Sequence, residues 1–365
     1  MTHDAPLQQA VQQLARGASL SAEATAAAFA VLMRGEATPV QTCALLMGLR
    51  AKGETADEVA GAALALRLAM VRVEVEHPHR VVDTCGTGGG RVGTLNLSTA
   101  AAFVVAGAGV PVAKHGNRSF TSRSGSADVL EALGVNIDLT AAGAGAVLRE
   151  AGLVFLFAPS FHPAMRHVGP VRRELGVPTI MNLLGPLVNP AGVTRQVVGV
   201  ADESRAPLVA AALARLGAVH ALVLHAAVGM DEVSPSGRTG VWEVCDGVVH
   251  DWPIEPERYG LACDDLDGLA GGEPAENAER IERLLGGDRV PPAVRCAVLL
   301  NAAAGLYVSG AGWSFGEAVE RAMASLESGA AAAVLERLRR AARGAAADGA
   351  AALSTSGSRR PRRPG

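Results

Sequence analysis

Three glycine-containing loops carry side chains that could bind a phosphorylated ligand. The first, "DTCGTGGGRVGTLNLST" at 83–99, ends with Asn96, Ser98 and Thr99 at the expected start of a helix. Glycines let the backbone approach a ligand with its N–H groups turned inward, and a helix N-terminus favours an anion. A tight turn followed by ordinary helix caps would produce the same pattern, so this loop taken alone is weak evidence.

The second loop, "AKHGNRSFTSRSGSAD" at 113–128, concentrates cations and hydroxyl groups after a hydrophobic strand. Lys114 or Arg118 taken singly is typical of a solvated loop, and His115 taken singly is typical of a core histidine. Together these donors indicate an anionic ligand at the end of the strand, because charged donors make their strongest hydrogen bonds to phosphate or carboxylate.

The third loop, "VLHAAVGMDEVSPSG" at 223–237, places two adjacent acids, Asp231 and Glu232, after a strand and a glycine turn. Such a pair can hold Mg²⁺ through oxygen ligands while the ion keeps water and substrate phosphates. A pair at a helix start, or a pair on the surface, is the alternative for this motif alone. The three loops together predict a sugar diphosphate bound with magnesium.

The composition narrows the class of protein. The 365 residues suit one large or two ordinary domains, and the net charge of −3 includes four arginines in the final "RRPRRPG". Without that segment the body is more acidic still, which argues against a nucleic-acid groove. The five cysteines are scattered without a CxxC pair, which argues for reduced thiols and against a disulfide framework or a zinc site. No signal-peptide pattern or membrane-length apolar run is present, so we predict a cytoplasmic protein.

The pattern of apolar residues changes near residue 77. The first part is helical throughout, whereas strand, glycine turn and helix alternate afterwards. We therefore predict an α/β fold, with a mostly parallel sheet flanked by helices and a smaller all-helical domain. The predicted domains are a helical one at 1–76, joined by about 163–187, and an α/β one at 77–162 and 188–347. The Ser/Gly/Arg/Pro-rich end, 348–365, is predicted to be a disordered tail.

A series of longer motifs resembles one enzyme family. "GTGG", "NLST", "KHGNR", "SGSADVLEALG", "HPAMRHVGPVRRELG", "NLLGPLVNPAG" and "MDEVSPSG" occur in the order found in the anthranilate phosphoribosyltransferases of tryptophan biosynthesis. The resemblance runs from about the first helix to about residue 345. "ELGVPT" and "AGGEPAENA" are similar to the high-GC bacterial branch of that family.

The resemblance implies a fold, a reaction and an assembly. The fold is the nucleoside phosphorylase/phosphoribosyltransferase-like one, forming a homodimer through the helical domain. The reaction is the Mg²⁺-dependent transfer of a phosphoribosyl group from phosphoribosyl pyrophosphate to the amine of anthranilate, which releases pyrophosphate. An aryl amine is largely uncharged at neutral pH, so positioning and leaving-group stabilisation should suffice without a strong general base. We therefore assign no catalytic acid or base.

The resemblance also implies site residues. The positions that match the family's phosphoribosyl pyrophosphate site are Gly86, Gly89, Gly90, Thr94, Asn96, Leu97, Ser98, Thr99, Lys114, His115, Gly116, Asn117, Arg118, Ser119, Phe120, Thr121, Ser122 and Ser126. Those that match its anthranilate site are Gly86, Asn117, His162 and Arg172. Those that match its magnesium ligands are Ser98, Asp231 and Glu232. A guanidinium such as that of Arg172 suits an aromatic carboxylate.

Three motifs depart from the family pattern. The family's "GTGGDG" here has Gly90 followed by Arg91, its "HGxDGLDE" has Val228 in place of an acid, and its "TIFN" has Met181. None of these changes removes a matched metal ligand. They leave open the alternative that this chain is a second copy of the enzyme, which serves a specialised pathway and accepts a modified aminobenzoate.

Two further functions stay open from the sequence. A pyrimidine nucleoside phosphorylase of the related fold is the nearer, although Arg172 and the Asp231–Glu232 pair favour the transferase. A non-catalytic relative that binds nucleic acid has only the arginine-rich end in its support. Partners expected from the main interpretation are small-molecule substrates and a second copy of the chain, with neither nucleic acid nor membrane.

Overall fold

The computed structural model describes residues 5–90, 92–119 and 123–356. Its N-terminal part is a bundle of four helices: α1 (Ala5–Ala15), α2 (Ala22–Met33), α3 (Pro39–Lys52) and α4 (Ala56–Ala69). Local sequence sets their starts, because Thr38 with Gln41 and Thr55 with Glu58 form capping boxes at α3 and α4.

A seven-stranded sheet follows the helical bundle. Its strands are β1 (Val82–Gly86), β2 (Val112–Gly116), β3 (Leu153–Phe157), β4 (Arg195–Gly199), β5 (His220–Ala226), β6 (Thr239–Cys245) and β7 (Val248–Ile254). Their order is β3-β2-β1-β4-β5-β6-β7, with β1 to β5 parallel and β6 and β7 antiparallel. The α/β fold class predicted from the sequence is confirmed.

The antiparallel hairpin at the sheet edge is an addition that the sequence analysis did not predict. Its turn is Asp246-Gly247, with φ of 47° and 82°. Positive φ at both central residues is the conformation that matches the twist of two paired strands, and Asp-Gly is a favoured sequence for it.

Helices cover both faces of the sheet. The longer ones are α5 (Leu97–Gly107), α6 (Ser126–Ala132), α7 (Ala141–Ala151), α11 (Ala206–Arg215), α12 (Pro274–Leu285), α13 (Pro292–Tyr307), α14 (Phe315–Glu327) and α15 (Ala330–Ser356). Three short helices lie in the segment between β3 and β4: α8 (Ala158–Phe161), α9 (Gly169–Leu175) and α10 (Met181–Leu184).

Two hydrophobic cores divide the faces of the sheet. One lies under α5, α13 and α15, and the other is shared by α1 to α4, α11 and one face of β4 and β5. Val168, Ile180 and Leu187, from the segment between β3 and β4, belong to the second core. This segment therefore packs with the N-terminal helices, while the exact domain boundaries stay a prediction.

The C-terminal end differs in part from the sequence expectation. The backbone of residues 348–356 continues α15, although a disordered tail was predicted from residue 348. Residues 357–365 lie outside the described part of the chain, so the prediction for them is untested. In the described part of the chain, no helix combines the length and the apolar character needed to cross a membrane.

Candidate active site

The carboxyl ends of β1, β4 and β5 meet at one edge of the sheet, where parallel α/β sheets bind ligands. The loop after β1 is tied to the end of β4, since Thr87 N donates to Gly199 O at 2.8 Å and Thr87 Oγ1 accepts from Ala201 N at 3.2 Å. Gly88 and Gly89 have φ of 68° and 86°, which other residues adopt at a cost. The glycine-rich loop therefore needs its glycines for backbone shape.

Asp231 is enclosed by three glycines. A Cβ built on Gly86 would lie 3.0 Å from Asp231 Oδ2, and one built on Gly90 would lie 2.9 Å from Asp231 Oδ1. A Cβ on Gly199 would lie only 1.6 Å from the Asp231 main-chain oxygen. The bare backbone at two strand ends and in the loop after β1 thus makes room for Asp231, which the spacing along the chain did not reveal.

Glu232 lies beside Asp231, is buried, and has one carboxylate oxygen without a hydrogen bond in the described part of the chain. Its Oε1 accepts a hydrogen bond from Thr94 Oγ1 at 3.1 Å, whereas its buried Oε2 has no hydrogen-bond partner among the described residues. Burial raises the pKa of Glu232 well above its ordinary value, and the neighbouring charge of Asp231 raises it further. Burial also raises the pKa of Asp231. Two buried acids with a free oxygen form a site that a cation would stabilise.

Lys114 places an internal cation next to this site. Its side chain is buried, and its Nζ donates to Ser98 Oγ at 3.1 Å and to the main-chain oxygen of Thr84. Burial lowers the pKa of Lys114, while the nearby carboxylate of Asp83 favours the charged form. Lys114 therefore holds the Ser98 hydroxyl through a hydrogen bond from the protein interior, and its ammonium group is not exposed at the loop surface.

The three predicted metal ligands line one small cavity, together with Thr84, Cys85 and Asn301. Among residues 5–90, 92–119 and 123–356, no group of three or more His, Cys, Asp or Glu side chains could hold a metal ion by itself. Two carboxylates and a hydroxyl fit Mg²⁺, because this ion usually takes one or two carboxylates and completes its shell with water and substrate phosphates.

The loop after β2 folds around an acid of α6. Asp128 accepts from Ser119 N at 3.2 Å and from Gly125 N at 2.8 Å, and it pairs with Arg118 at 3.0 Å. Arg118 also pairs with Glu131 at 2.5 Å, and these partners raise its pKa. The guanidinium predicted to contact diphosphate is thus engaged with α6 in this structure.

Other predicted diphosphate residues differ in what their side chains face. Asn96 Oδ1 accepts from Ser124 Oγ at 3.2 Å and from Asn277 Nδ2 at 3.0 Å. Ser126 Oγ donates to Asn117 O at 3.2 Å. Thr99 is 1% exposed and lines a separate small cavity, and it is not among the residues that line the cavity of the acid pair.

The remaining predicted diphosphate positions are backbone positions or lie outside the described residues. Leu97 is the first residue of α5 and is buried, and Gly116 ends β2. Phe120, Thr121 and Ser122 lie outside the described part of the chain, and so does Arg91, which departs from the family pattern.

Two neutral histidines pack together at the end of β2. The rings of His115 and His162 have centroids 5.0 Å apart, and His115 Nδ1 donates to Gly185 O at 3.1 Å. The Nε2 atoms of both rings are buried without a hydrogen-bond partner in the described part of the chain. Burial lowers the pKa of His115 to about 3 and that of His162 to about 4, so both imidazoles are uncharged at neutral pH.

Arg172 is a partly buried cation on the short helix α9. Within the described residues it makes no ion pair, and burial lowers the pKa of its guanidinium. Its neighbour Arg173 is exposed. A desolvated cation without an internal partner suits an anionic ligand.

Several buried polar residues that organise the site were missed by sequence reasoning. Asp83 accepts from His115 N at 3.2 Å and from Asn189 Nδ2 at 2.8 Å, which joins β1, β2 and the segment before β4. Asn277 and Asn301 reach the first and third loops from α12 and α13. For Asn301 a signal existed, because it interrupts the apolar run "CAVLLNAAAGL".

Two family models cover most of the chain. Residues 8–70 match the helical bundle domain of a glycosyl transferase family, and residues 78–332 match the a/b domain of the same family.

Curated relatives named anthranilate phosphoribosyltransferase are about half identical to the chain. Anthranilate phosphoribosyltransferase of Xanthobacter autotrophicus is 50% identical over 89% of this chain and 94% of its own length. That of Rubrobacter xylanophilus is 49% identical over 94% of this chain and 100% of its own length.

Solved structures are similar over nearly the whole chain. The crystal structure of the Thermus thermophilus enzyme has a TM-score of 0.86 at 44% identity, covering 92% of this chain and 99% of its own. The Saccharomyces cerevisiae enzyme in complex with PRPP and Mg has a TM-score of 0.85 at 29% identity, covering 93% and 99%. The same yeast enzyme in complex with 4-fluoroanthranilate has a TM-score of 0.83 at 28% identity, covering 93% and 98%.

Proposed function

The chain belongs to the anthranilate phosphoribosyltransferase family, and from this we infer that it transfers the phosphoribosyl group of phosphoribosyl pyrophosphate to the amine of anthranilate. The products are N-(5-phosphoribosyl)anthranilate and pyrophosphate, a step of tryptophan biosynthesis. One observation of the site carries the inference. The glycine-rich loop, the Asp231–Glu232 pair and Ser98 converge on one cavity at the carboxyl ends of the strands.

The metal site is proposed at Asp231, Glu232 and Ser98. The free Oε2 of Glu232 and the raised pKa values of both acids support a divalent cation there. Mg²⁺, when bound, neutralises charge on the diphosphate and so makes pyrophosphate a better leaving group. Lys114 holds Ser98 in place, and it also adds positive charge beneath the site.

The diphosphate is proposed to bind over the glycine-rich loop and the start of α5. The positive φ of Gly88 and Gly89 shapes this loop, and the N-terminus of α5 adds its partial positive charge. Asn96 is held at this helix start by Asn277 and Ser124, so its position is set before any ligand arrives.

The acceptor is proposed to bind with its carboxylate at Arg172 and its ring near Asn117 and His162. The neutral state of His162 and His115 is compatible with this assignment, because a charged imidazole is unnecessary for attack by an uncharged aryl amine. Rate enhancement then comes from holding the amine against the sugar carbon and from stabilising the leaving group.

A homodimer is proposed through the helical bundle. Leu64 and Leu68, one helical turn apart on α4, are 43% and 79% exposed, and Val71 beyond the helix is 42% exposed. Contiguous exposed apolar side chains favour a protein–protein contact. A cytoplasmic location is proposed from the five cysteines, all of which are free thiols.

The decisive test is product detection by mass spectrometry. The purified protein is incubated with phosphoribosyl pyrophosphate, Mg²⁺ and a panel of aminobenzoates that includes anthranilate. We expect N-(5-phosphoribosyl)anthranilate and pyrophosphate in equal amounts. If product forms only with a substituted aminobenzoate, that compound would replace anthranilate as the acceptor. No product with any of them, together with phosphorolysis of thymidine or uridine, would overturn the proposal.

A further inference from the structure

Asn301 of α13 holds a single residue of the acid-pair loop by both of its main-chain groups. Val233 N donates to Asn301 Oδ1 at 3.0 Å, and Asn301 Nδ2 donates back to Val233 O at 2.9 Å. The second hydrogen of the amide goes to Ala297 O at 2.8 Å, within α13 itself. Each polar atom of the side chain is therefore used, and the amide cannot rotate without breaking these three bonds.

Val233 directly follows Glu232, so this clamp acts on the backbone that carries the acid pair. Asn301 lines the same cavity as Asp231, Glu232 and Ser98. No hydrogen bond joins the Asn301 side chain to either carboxylate in the described structure, and its influence therefore passes through the main chain of Val233.

The clamp also ties the acid pair to the phosphate-binding helix. The helix α13 packs against α5, whose first turn carries Ser98. Asn301 is only 5% exposed and lies among apolar residues of α13. A polar group in such surroundings is costly to bury unless it makes its hydrogen bonds. An apolar residue could fill the same space and would need no hydrogen bonds.

We propose that Asn301 is a positioning residue for the divalent cation: by holding Val233 it fixes the distance between the Asp231–Glu232 carboxylates and Ser98. The proposal rests on the proposed function, since it presumes that these three residues bind the cation together with the diphosphate. Partners of this kind, which hold a metal ligand without touching the metal, commonly change metal affinity by about 10-fold to 100-fold when removed.

The test measures binding without turnover. Calorimetric titration of phosphoribosyl pyrophosphate, without anthranilate, is repeated over a series of Mg²⁺ concentrations for wild type, Asn301→Leu and Glu232→Gln. We expect Asn301→Leu to raise the Mg²⁺ concentration for half-maximal binding by about tenfold. In the kinetic assay at saturating Mg²⁺, the KM for anthranilate should stay near that of wild type. Hydrogen exchange of the peptide containing Val233 should quicken.

Ser325→Ala is the matched control. Ser325 is also buried, and its Oγ donates to Val104 O at 2.8 Å, away from the acid pair. Its loss should lower thermal stability without changing the Mg²⁺ dependence. Asn301→Ser, which is too short to reach both groups of Val233, serves as a second variant if Asn301→Leu does not fold, and the same shift is expected from it.

The outcomes separate the two levels of the proposal. If Glu232→Gln leaves the Mg²⁺ dependence of binding unchanged, the metal site is misplaced and the role of Asn301 falls with it. If Glu232→Gln shifts that dependence and folded Asn301 variants do not, only the positioning role is overturned. A shift for Asn301→Leu equal to that of Ser325→Ala would likewise reduce Asn301 to a stabilising residue.

Discussion

Gly90 lies directly against Asp231, with only 2.9 Å between Asp231 Oδ1 and the place where a Cβ of residue 90 would stand. Gly86 and Gly199 approach the same residue from the ends of β1 and β4. The position where the family usually has an aspartate therefore borders the proposed metal ligand, and an acidic side chain introduced there would add negative charge beside the proposed cation site.

Replacing Gly90 with Asp should add a third carboxylate beside two acids that are already hard to ionise. The Asp231 side chain must also move, since 2.9 Å is closer than a Cβ contact allows. We expect weaker binding of phosphoribosyl pyrophosphate at low Mg²⁺, on the order of 1 kcal/mol, with most of the loss recovered at high Mg²⁺ or high salt. The measurement is the dissociation constant against Mg²⁺ and salt. Gly90→Asn has the same size without the charge, and equal effects of Asn and Asp would show that only the steric contact matters.

Replacing Glu232 with Gln keeps the side-chain shape and removes a buried charge. Turnover should fall by about two orders of magnitude, because the cation loses a ligand in the transition state. The melting temperature without Mg²⁺ should stay level or rise, since an uncompensated buried carboxylate opposes folding. Steady-state kinetics and thermal melting check this. Glu327→Gln, at an exposed ion pair with Arg295, is the control. A variant with wild-type turnover at limiting Mg²⁺ would refute the ligand assignment.

Replacing Arg172 with Lys should raise the KM for anthranilate by about tenfold or more and leave that for phosphoribosyl pyrophosphate nearly unchanged. An ammonium cannot reproduce the paired hydrogen bonds of a guanidinium to a carboxylate. Arg173→Lys changes the exposed neighbour on the same helix and should have little effect on either constant. Equal effects of the two substitutions would mean that Arg172 is an ordinary surface residue.

The neutral histidine at position 115 should make the protein lose stability in mild acid. Its folded pKa of about 3 lies below the ordinary value of 6.5, so the unfolded chain takes up the proton first as the pH falls. Stability is therefore present above about pH 6.5 and is lost towards the folded pKa. The variant His115→Asn keeps a donor for Gly185 O but does not titrate. Its free energy of unfolding should therefore fall by about 2 kcal/mol less than that of wild type between pH 6.5 and 4.5. Denaturant unfolding at several pH values measures this, and parallel curves would contradict it.

The exposed leucines of α4 should support self-association. Leu68→Glu places a charge in the apolar patch and should shift the protein from dimer to monomer at micromolar concentration, as measured by light scattering with size exclusion. Val248→Glu alters a 52% exposed valine on the edge strand β7 and should leave the dimer intact. A wild-type protein that is monomeric at all concentrations would remove the proposed interface.

The chain order of motifs was enough to predict the α/β fold class and the family, because each of the loops at Gly86, Lys114 and Asp231 carries a local signature. Strand, glycine turn and helix are local patterns, and the helix caps at Thr38 and Thr55 depend on residues only three positions away. The predicted metal ligands could be named on the same basis, and their assignment stays a prediction until it is tested.

What only the tertiary structure decided are the contacts between residues far apart in sequence. Gly199 and Gly90 both enclose Asp231, and Asn301 reaches Val233 across 68 positions. Arg118 carries a guanidinium group that could bind phosphate, yet it pairs with Glu131 because the turn into α6 brings that acid close to it. Thr99 has a hydroxyl in the first turn of α5, yet this residue lines a different cavity from that of the acid pair. Residue type sets what a side chain can bind, whereas packing of distant elements sets which partner it meets, since burial and direction arise only when the sheet and its helices assemble.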